Sequence, residues 1–203
     1  GSGSLGFYYL KSRDNNASGH FTAPDYYLNR LNQDSTDVRW GILTTDELDR
    51  KAASYKYVGS VDKRGDGKDT YTAVNIKVIR LSEVYLIAAE AALKKSSADL
   101  AKAANYLNQI RKRSPALAPA TAATVNEQMI LDEKSKELYG EGQRFWDMIR
   151  TNKTITFNDE HVGVSMTHRE KSINRSFYKT LLPIPKDEID SNPGLGDQQN
   201  NGY

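Results

Sequence analysis

Apolar residues recur at three- and four-residue spacing through the second half of the chain and at no steady spacing through the first. Leu81, Val84, Tyr85, Ala88 and Ala92 fall on one face of a helix predicted over residues 79–94. Leu100, Ala103, Ala104, Leu107 and Ile110 form the stripe of a second helix. Ser96 or Ser97 is placed to cap it, and Asp99 stands in its first turn, where the helix dipole favours an anion. Alanines on both helices permit close approach, and Ala88 is expected to face Ala104. The pair reads as one helix–turn–helix unit of the tetratricopeptide kind. A single unit cannot bury both of its faces, so it needs neighbours.

A Pro/Ala/Thr-rich link over residues 114–123 leads to a third helical pattern. Thr124 and Glu127 have the spacing of a capping box. The pattern runs to about residue 150 through Gly140 and Gly142, each of which costs ~1 kcal/mol relative to Ala in a helix interior. Phe145, Trp146, Met148 and Ile149 make its apolar run, which assigns Trp146 to the core. Residues 151–203 are irregular and punctuated by Pro183, Pro185 and Pro193, with one helical turn over 186–190. Residues 5–72 are loop-rich, with a short alternating strand at Tyr55-Lys56-Tyr57-Val58, and 75–79 form an extended lead into the first helix. The predicted fold is mainly α: a tetratricopeptide-like helical hairpin and a long third helix, with extensive loops and short strands. A loop-rich aromatic segment, 1–74, and a helical region, 75–203, are expected to form one structural domain.

Composition removes several function classes. The 203 residues carry 28 basic and 26 acidic side chains, a net charge of +2, which gives no electrostatic reason to expect nucleic acid as a partner. Cysteine is absent, excluding disulfides, thiolate metal sites and cysteine nucleophiles. The longest apolar run, 84–89, is stopped by Glu90, far short of the ~20 residues of a membrane helix. Gly1-Ser2-Gly3-Ser4 lacks the basic cluster and apolar stretch of a signal peptide and reads as a cloning remnant or a ragged loop.

Charged residues suggest chemistry and then withdraw it. Glu137, Glu141, Arg144, Asp147 and Arg150 recur at helical spacing. A carboxylate pair there would suit acid/base hydrolysis. Carboxylates alternating with arginines instead form ion pairs, Glu141 with Arg144 and Asp147 with Arg150, and stay ionised, which makes poor general acids. Arg80, Glu83 and Glu90 read the same way, as a partly buried Arg clamped by Glu or by loop carbonyls. His20, His161 and His168 lie in loops with no compact ligand spacing. Asp62, Asp66 and Asp69 lack the spacing of a calcium loop and are interleaved with three basic residues. No metal or other cofactor is expected.

Ten of the nineteen aromatic residues lie in the first 71 positions. Aromatic rings stack on the C–H faces of sugars, while Asn, Asp, Gln and Arg pair with sugar hydroxyls. Trp40, flanked by Asp37, Arg39 and Gly41, has that mixture, and Tyr26 and Tyr27 are its companions. The candidate ligand-binding set is Trp40, Tyr26, Tyr27, Arg39 and Asp37. The competing reading is that these rings fill a small core beneath the loops.

Four segments in order also carry a family likeness. They are Val78-Ile79-Arg80-Leu81-Ser82-Glu83-Val84-Tyr85-Leu86-Ile87-Ala88-Ala89-Glu90-Ala91, Glu141-Gly142-Gln143-Arg144-Phe145-Trp146-Asp147-Met148-Ile149-Arg150, Leu182-Pro183-Ile184-Pro185 and Gln199-Asn200-Asn201-Gly202-Tyr203. Together they resemble the C-terminal part of the SusD/RagB family, with Asn201 standing where that family usually has Pro. The first 70 or so residues match more loosely, chiefly at Asp37-Val38-Arg39. The resemblance implies a SusD-like α–α superhelix and a non-enzymatic role: a surface lipoprotein of the outer membrane of Bacteroidetes. Such a protein captures a glycan or other nutrient for a SusC-like TonB-dependent transporter. It also implies that the N-terminal half and the lipid anchor lie upstream of this chain. The alternatives are a glycoside hydrolase or esterase, which needs converging carboxylates or a Ser–His pair, and a helical-repeat scaffold that binds protein only.

Overall fold

The computed structural model of the chain describes residues 5–11, 18–58, 74–158 and 170–203. Its helices are α1 (Leu5–Tyr9), α2 (Asp25–Leu31), α3 (Leu81–Lys94), α4 (Leu100–Arg111), α5 (Glu127–Glu137), α6 (Gln143–Arg150) and α7 (Lys186–Ser191). The described residues also form 3-10 turns at Val38–Ile42, Tyr178–Thr180 and Pro193–Gln198 and two small antiparallel sheets. One pairs β1 (Leu43–Thr44) with β2 (Ala53–Ser54), Leu43 opposite Ser54; the other pairs β3 (Ile155–Thr156) with β4 (Ser172–Ile173), Ile155 opposite Ile173. The extended lead predicted at 75–79 forms no strand.

Helices α3 and α4 form the predicted hairpin, and both pack on α5. Asp99 caps α4, its carboxylate accepting from the Lys102 amide at 3.0 Å, so the cap lies past the serines proposed for it. Ala103, Ala104, Leu107 and Ile110 are buried as expected, while Leu100 stays exposed. On α3 the buried face is Ser82, Leu86, Ala89, Glu90 and Ala92, turned about one residue from the predicted stripe. Leu81, Val84 and Ile87 are exposed. Helix α3 is apolar around much of its circumference, so periodicity does not select which side meets α4 and α5.

Leu86, Ala89, Ala103, Leu107 and Ile130 share one core cluster. Ala89, not the half-buried Ala88, is the fully enclosed alanine of α3. Ala89→Leu therefore overpacks this contact and is expected to lower unfolding free energy by ~1–3 kcal/mol. Ala88→Leu should cost less, and equal urea midpoints for the two variants would contradict this packing.

The long third helix is divided. Asn126, not Thr124, caps α5 by accepting from the Met129 amide at 3.0 Å. The helix stops at Glu137 because Gly140 and Gly142 take φ of +74° and +79°, a left-handed backbone open to glycine at little cost. A Cβ on Gly140 would also meet the Tyr9 hydroxyl at 3.0 Å. Beyond the break, α6 buries Asp147 and Met148 and leaves Trp146 62% exposed, contrary to the core position expected for it.

Helix α5 is the centre of the protein, and its burial is unusually polar. Ile130 and Leu131 are enclosed together with Glu133, Lys134, Ser135, Lys136 and Glu137. Such charges stay buried only when paired. Arg39 reaches Glu133 at 2.7 Å and Glu137 at 3.5 Å, and Lys136 reaches Glu133 at 3.2 Å. Arg80 pairs with Glu137 and Glu141, and Lys56 with Glu141. Glu141 is thus taken by Arg80 and Lys56 in place of Arg144. The other predicted pair forms: Arg150 meets Asp147 at 2.5 Å and also holds Glu90, tying α6 to α3.

Candidate functional site

Helix α2 and the turn after it hold the predicted ligand residues. Asp25 opens α2, with its buried carboxylate accepting from the Tyr26 amide at 2.9 Å and the Asn158 amide at 2.8 Å. This clamps the start of the helix to the chain beyond β3. Tyr27, the next residue, faces inward and stacks on Tyr139 with ring centroids 4.2 Å apart. It is fully enclosed, and burial raises its phenol well above the ordinary range.

Asp37 caps a 3-10 turn, Val38–Ile42, by accepting from the Arg39 amide at 2.9 Å. The same carboxylate takes Arg39 Nε at 2.8 Å, Arg39 Nη2 at 2.7 Å and the Ser114 hydroxyl at 2.5 Å. Although burial opposes its ionisation, these bonds from Arg39 and Ser114 hold Asp37 below the ordinary carboxylate range. Arg39 closes one wall of a basic cavity of about 380 Å3 but is only 6% exposed. Asp37, Arg39 and Tyr27 are therefore internal groups on which the surface rests.

Tyr26 and Trp40 are half-buried and border open space. Trp40 packs on the cluster of Tyr27, Leu28 and Leu31, and its Nε1 donates to the Asp34 carbonyl at 3.3 Å. It lines a shallow cavity of about 380 Å3 with Asn32, Thr44, Thr45 and Lys51. Tyr26 stands between two other cavities. One, of about 400 Å3, is walled by Tyr9, Phe21, Tyr26, Tyr139 and Phe145, with Gln143, Lys134 and Asp147 for polar contacts. The other, of about 250 Å3, lies among Tyr26, Asn29, Arg30, Thr154, Thr156 and Asn158. Arg144 lines both.

The aromatic groove has the chemistry of a sugar platform, with ring faces beside amide and charged groups. Among the described residues its one carboxylate is Asp147, bound to Lys134 at 3.1 Å and to Arg150 at 2.5 Å. Hydrolysis by a carboxylate pair needs a second acid across the cleft. Among the described residues none lines this one.

The predicted companions are thus brought to one region, but of the three rings only Tyr26 and Trp40, both half-buried, line the cavities described. Phe21, Tyr9, Phe145, Arg30 and Arg144 complete the surroundings and were not among the predicted site residues. Their aromatic and basic character was legible. Their convergence was not, because contacts such as Arg30 to Asp132 span 102 positions. His20 is exposed, and among the described residues no group of three or more His, Asp or Glu could hold a metal ion. Asp62, Asp66, Asp69, His161 and His168 lie outside the described residues.

The model of the SusD family matches residues 43–203. The chain is 33% identical over 149 residues to the starch-binding protein SusD of Bacteroides thetaiotaomicron, covering 69% of this chain and 24% of that protein. It is 33% identical over 135 residues to SusD-like protein P25 of Formosa agariphila, covering 62% of this chain and 24% of that protein. The chain thus spans about a quarter of the length of these two curated relatives. Among solved structures, a SusD superfamily protein of Bacteroides vulgatus aligns with a TM-score of 0.74 at 33% identity. That alignment covers 97% of this chain and 42% of the other. A second, from Bacteroides thetaiotaomicron, gives 0.70 at 33% identity over 87% and 40%.

Proposed function

The chain belongs to the SusD family, and from that premise we propose that it contributes to non-enzymatic capture of a glycan or other nutrient at the cell surface. The captured molecule is passed to a SusC-like TonB-dependent transporter in the outer membrane. Attachment is through a lipid anchor upstream; among the described residues no helix is long and apolar enough to cross a membrane. A relative named for starch binding supports a carbohydrate as the ligand. The observation that carries binding over turnover is the aromatic groove with its single, doubly paired carboxylate.

In this reading Tyr26 and Trp40 touch the ligand, while Tyr27, Asp37 and Arg39 hold them in place. A ring stacked on a sugar contributes ~1–3 kcal/mol, by analogy with bases on aromatic side chains. Tyr26→Ala and Trp40→Ala are each expected to weaken binding about tenfold or more, with thermal melts confirming that each variant is folded at the assay temperature. Calorimetry of the intact protein against a glycan panel, with chromatography of the mixtures, tests this. Release of shorter products would replace binding by hydrolysis, and wild-type affinity in both variants would move the site elsewhere.

A further inference from the structure

The pocket beside Tyr26 has an electrostatic character that a neutral sugar would not require. Two guanidinium groups approach the Tyr26 ring, Arg30 at 5.8 Å and Arg144 at 5.7 Å from its centroid. Arg30 is satisfied: its Nε donates to Asp132 at 2.7 Å and its Nη1 to the Tyr26 carbonyl at 2.8 Å. Arg144 is not. Its Nη1 donates to the Leu131 carbonyl at 3.0 Å, and its buried Nε has no acceptor among the described residues. No carboxylate of the described residues lies within 4.0 Å of it, unlike Arg39, Arg80 and Arg150. Burial, followed by the charge of Arg30, depresses its basicity against the opposing effects of Tyr26, Asp132 and Asp147.

Among the described residues the pocket lining holds these two cations, Tyr26, Ile155 and neutral Asn and Thr side chains, and no acid. A volume of about 250 Å3 has room for a single sugar residue that carries an oxyanion substituent. Arg144 and Tyr26 also line the adjoining aromatic groove, so one ligand can occupy both spaces. We infer that the pocket between Tyr26, Arg30 and Arg144 is a subsite for the carboxylate or sulfate of an acidic sugar. Asp132 neutralises Arg30, which leaves Arg144 as the charge that the substituent completes. The inference rests on the glycan-binding reading for its ligand class and on Arg144 for its charge.

The test is an NMR titration of arginine Nε–H and tyrosine ring signals in the intact protein with glucuronate, glucose 6-sulfate and glucose. Saturable shifts at Arg144 and Tyr26 with one or both acidic sugars, and not with glucose, are expected; the responding sugar says whether carboxylate or sulfate is preferred. Arg144→Gln should weaken that binding about tenfold or more. If Arg144→Gln does not fold, Thr156→Glu serves. It places a competing carboxylate on an exposed lining position and should abolish the shifts in a folded protein. Equal responses to glucose, no response to either acid, or acid binding that survives Thr156→Glu would overturn the subsite. Acid binding here with no oligosaccharide bound in the panel would overturn the nutrient reading while keeping the pocket; oligosaccharide binding without it would do the reverse.

Discussion

Arg39→Ala is expected to lower the unfolding free energy by ~3–5 kcal/mol, the usual consequence of removing one partner from a buried charge cluster. The side chains of Asp37, Glu133 and Glu137 are 0%, 1% and 2% exposed, and Arg39 pairs with all three. Without it, Asp37 and Glu133 retain Lys136 at 3.8 and 3.2 Å, and Glu133 has Arg111 at 3.8 Å. These contacts cannot replace the bidentate grip of a guanidinium on Asp37. The alanine would also leave the Ser114 hydroxyl without the Arg39 donor at 2.8 Å, though Lys136 still donates to it at 3.0 Å. Urea unfolding reads the loss directly. Lys186→Ala is the control, since its side chain is 83% exposed and should change stability by no more than ~0.5 kcal/mol. If the two variants prove equally stable, Arg39 is not what satisfies the carboxylates of α5.

Acid should unfold the protein through the carboxylates that join its helices. Arg150 hydrogen-bonds Glu90 through both terminal nitrogens, at 2.5 and 2.7 Å, and Lys94 adds a second partner at 3.2 Å. Against the opposing effect of burial, these hold Glu90 at about 2, down from an ordinary 4.5. Burial likewise opposes ionisation of Glu141, and bonds from Arg80 and Lys56 overcome it and keep that group low too. A carboxylate depressed in the folded state binds fewer protons there than in the unfolded chain. Its contribution is therefore complete above about pH 4.5 and is lost as pH falls toward about 2. Because Arg150 is partly solvated, Glu90 accounts for roughly 1–3 kcal/mol across that window. Glu90→Gln should be less stable at neutral pH and should show a shallower loss between pH 4.5 and 2. A parallel pair of stability curves would show that Glu90 is not responsible.

The sequence by itself determined the helical hairpin, because Val84, Tyr85, Ala88 and Ala92 on one helix and Ala103, Leu107 and Ile110 on the other carry a local signal that needs no partner to be seen. It determined the family, because Arg80, Glu90, Asp147 and Arg150 sit in contiguous motifs. It also indicated that the charges of the third pattern are paired, and gave Asp147 its partner Arg150 but not Glu141 its own. Glu141 went to Arg80 and Lys56 instead of Arg144, since partner choice follows distances that helical spacing cannot express. The face of α3 that is buried was decided by where α4 and α5 press on an almost evenly apolar cylinder. The break near Gly140 was decided by the left-handed backbone that Gly140 and Gly142 adopt, which an apolar periodicity does not display. Within the candidate site, aromatic character was visible at Tyr26, Tyr27 and Trp40 alike. Only the tertiary structure enclosed Tyr27 against Tyr139 and left Tyr26 beside an Arg144 without a carboxylate, because burial is settled by what packs on a residue from far along the chain.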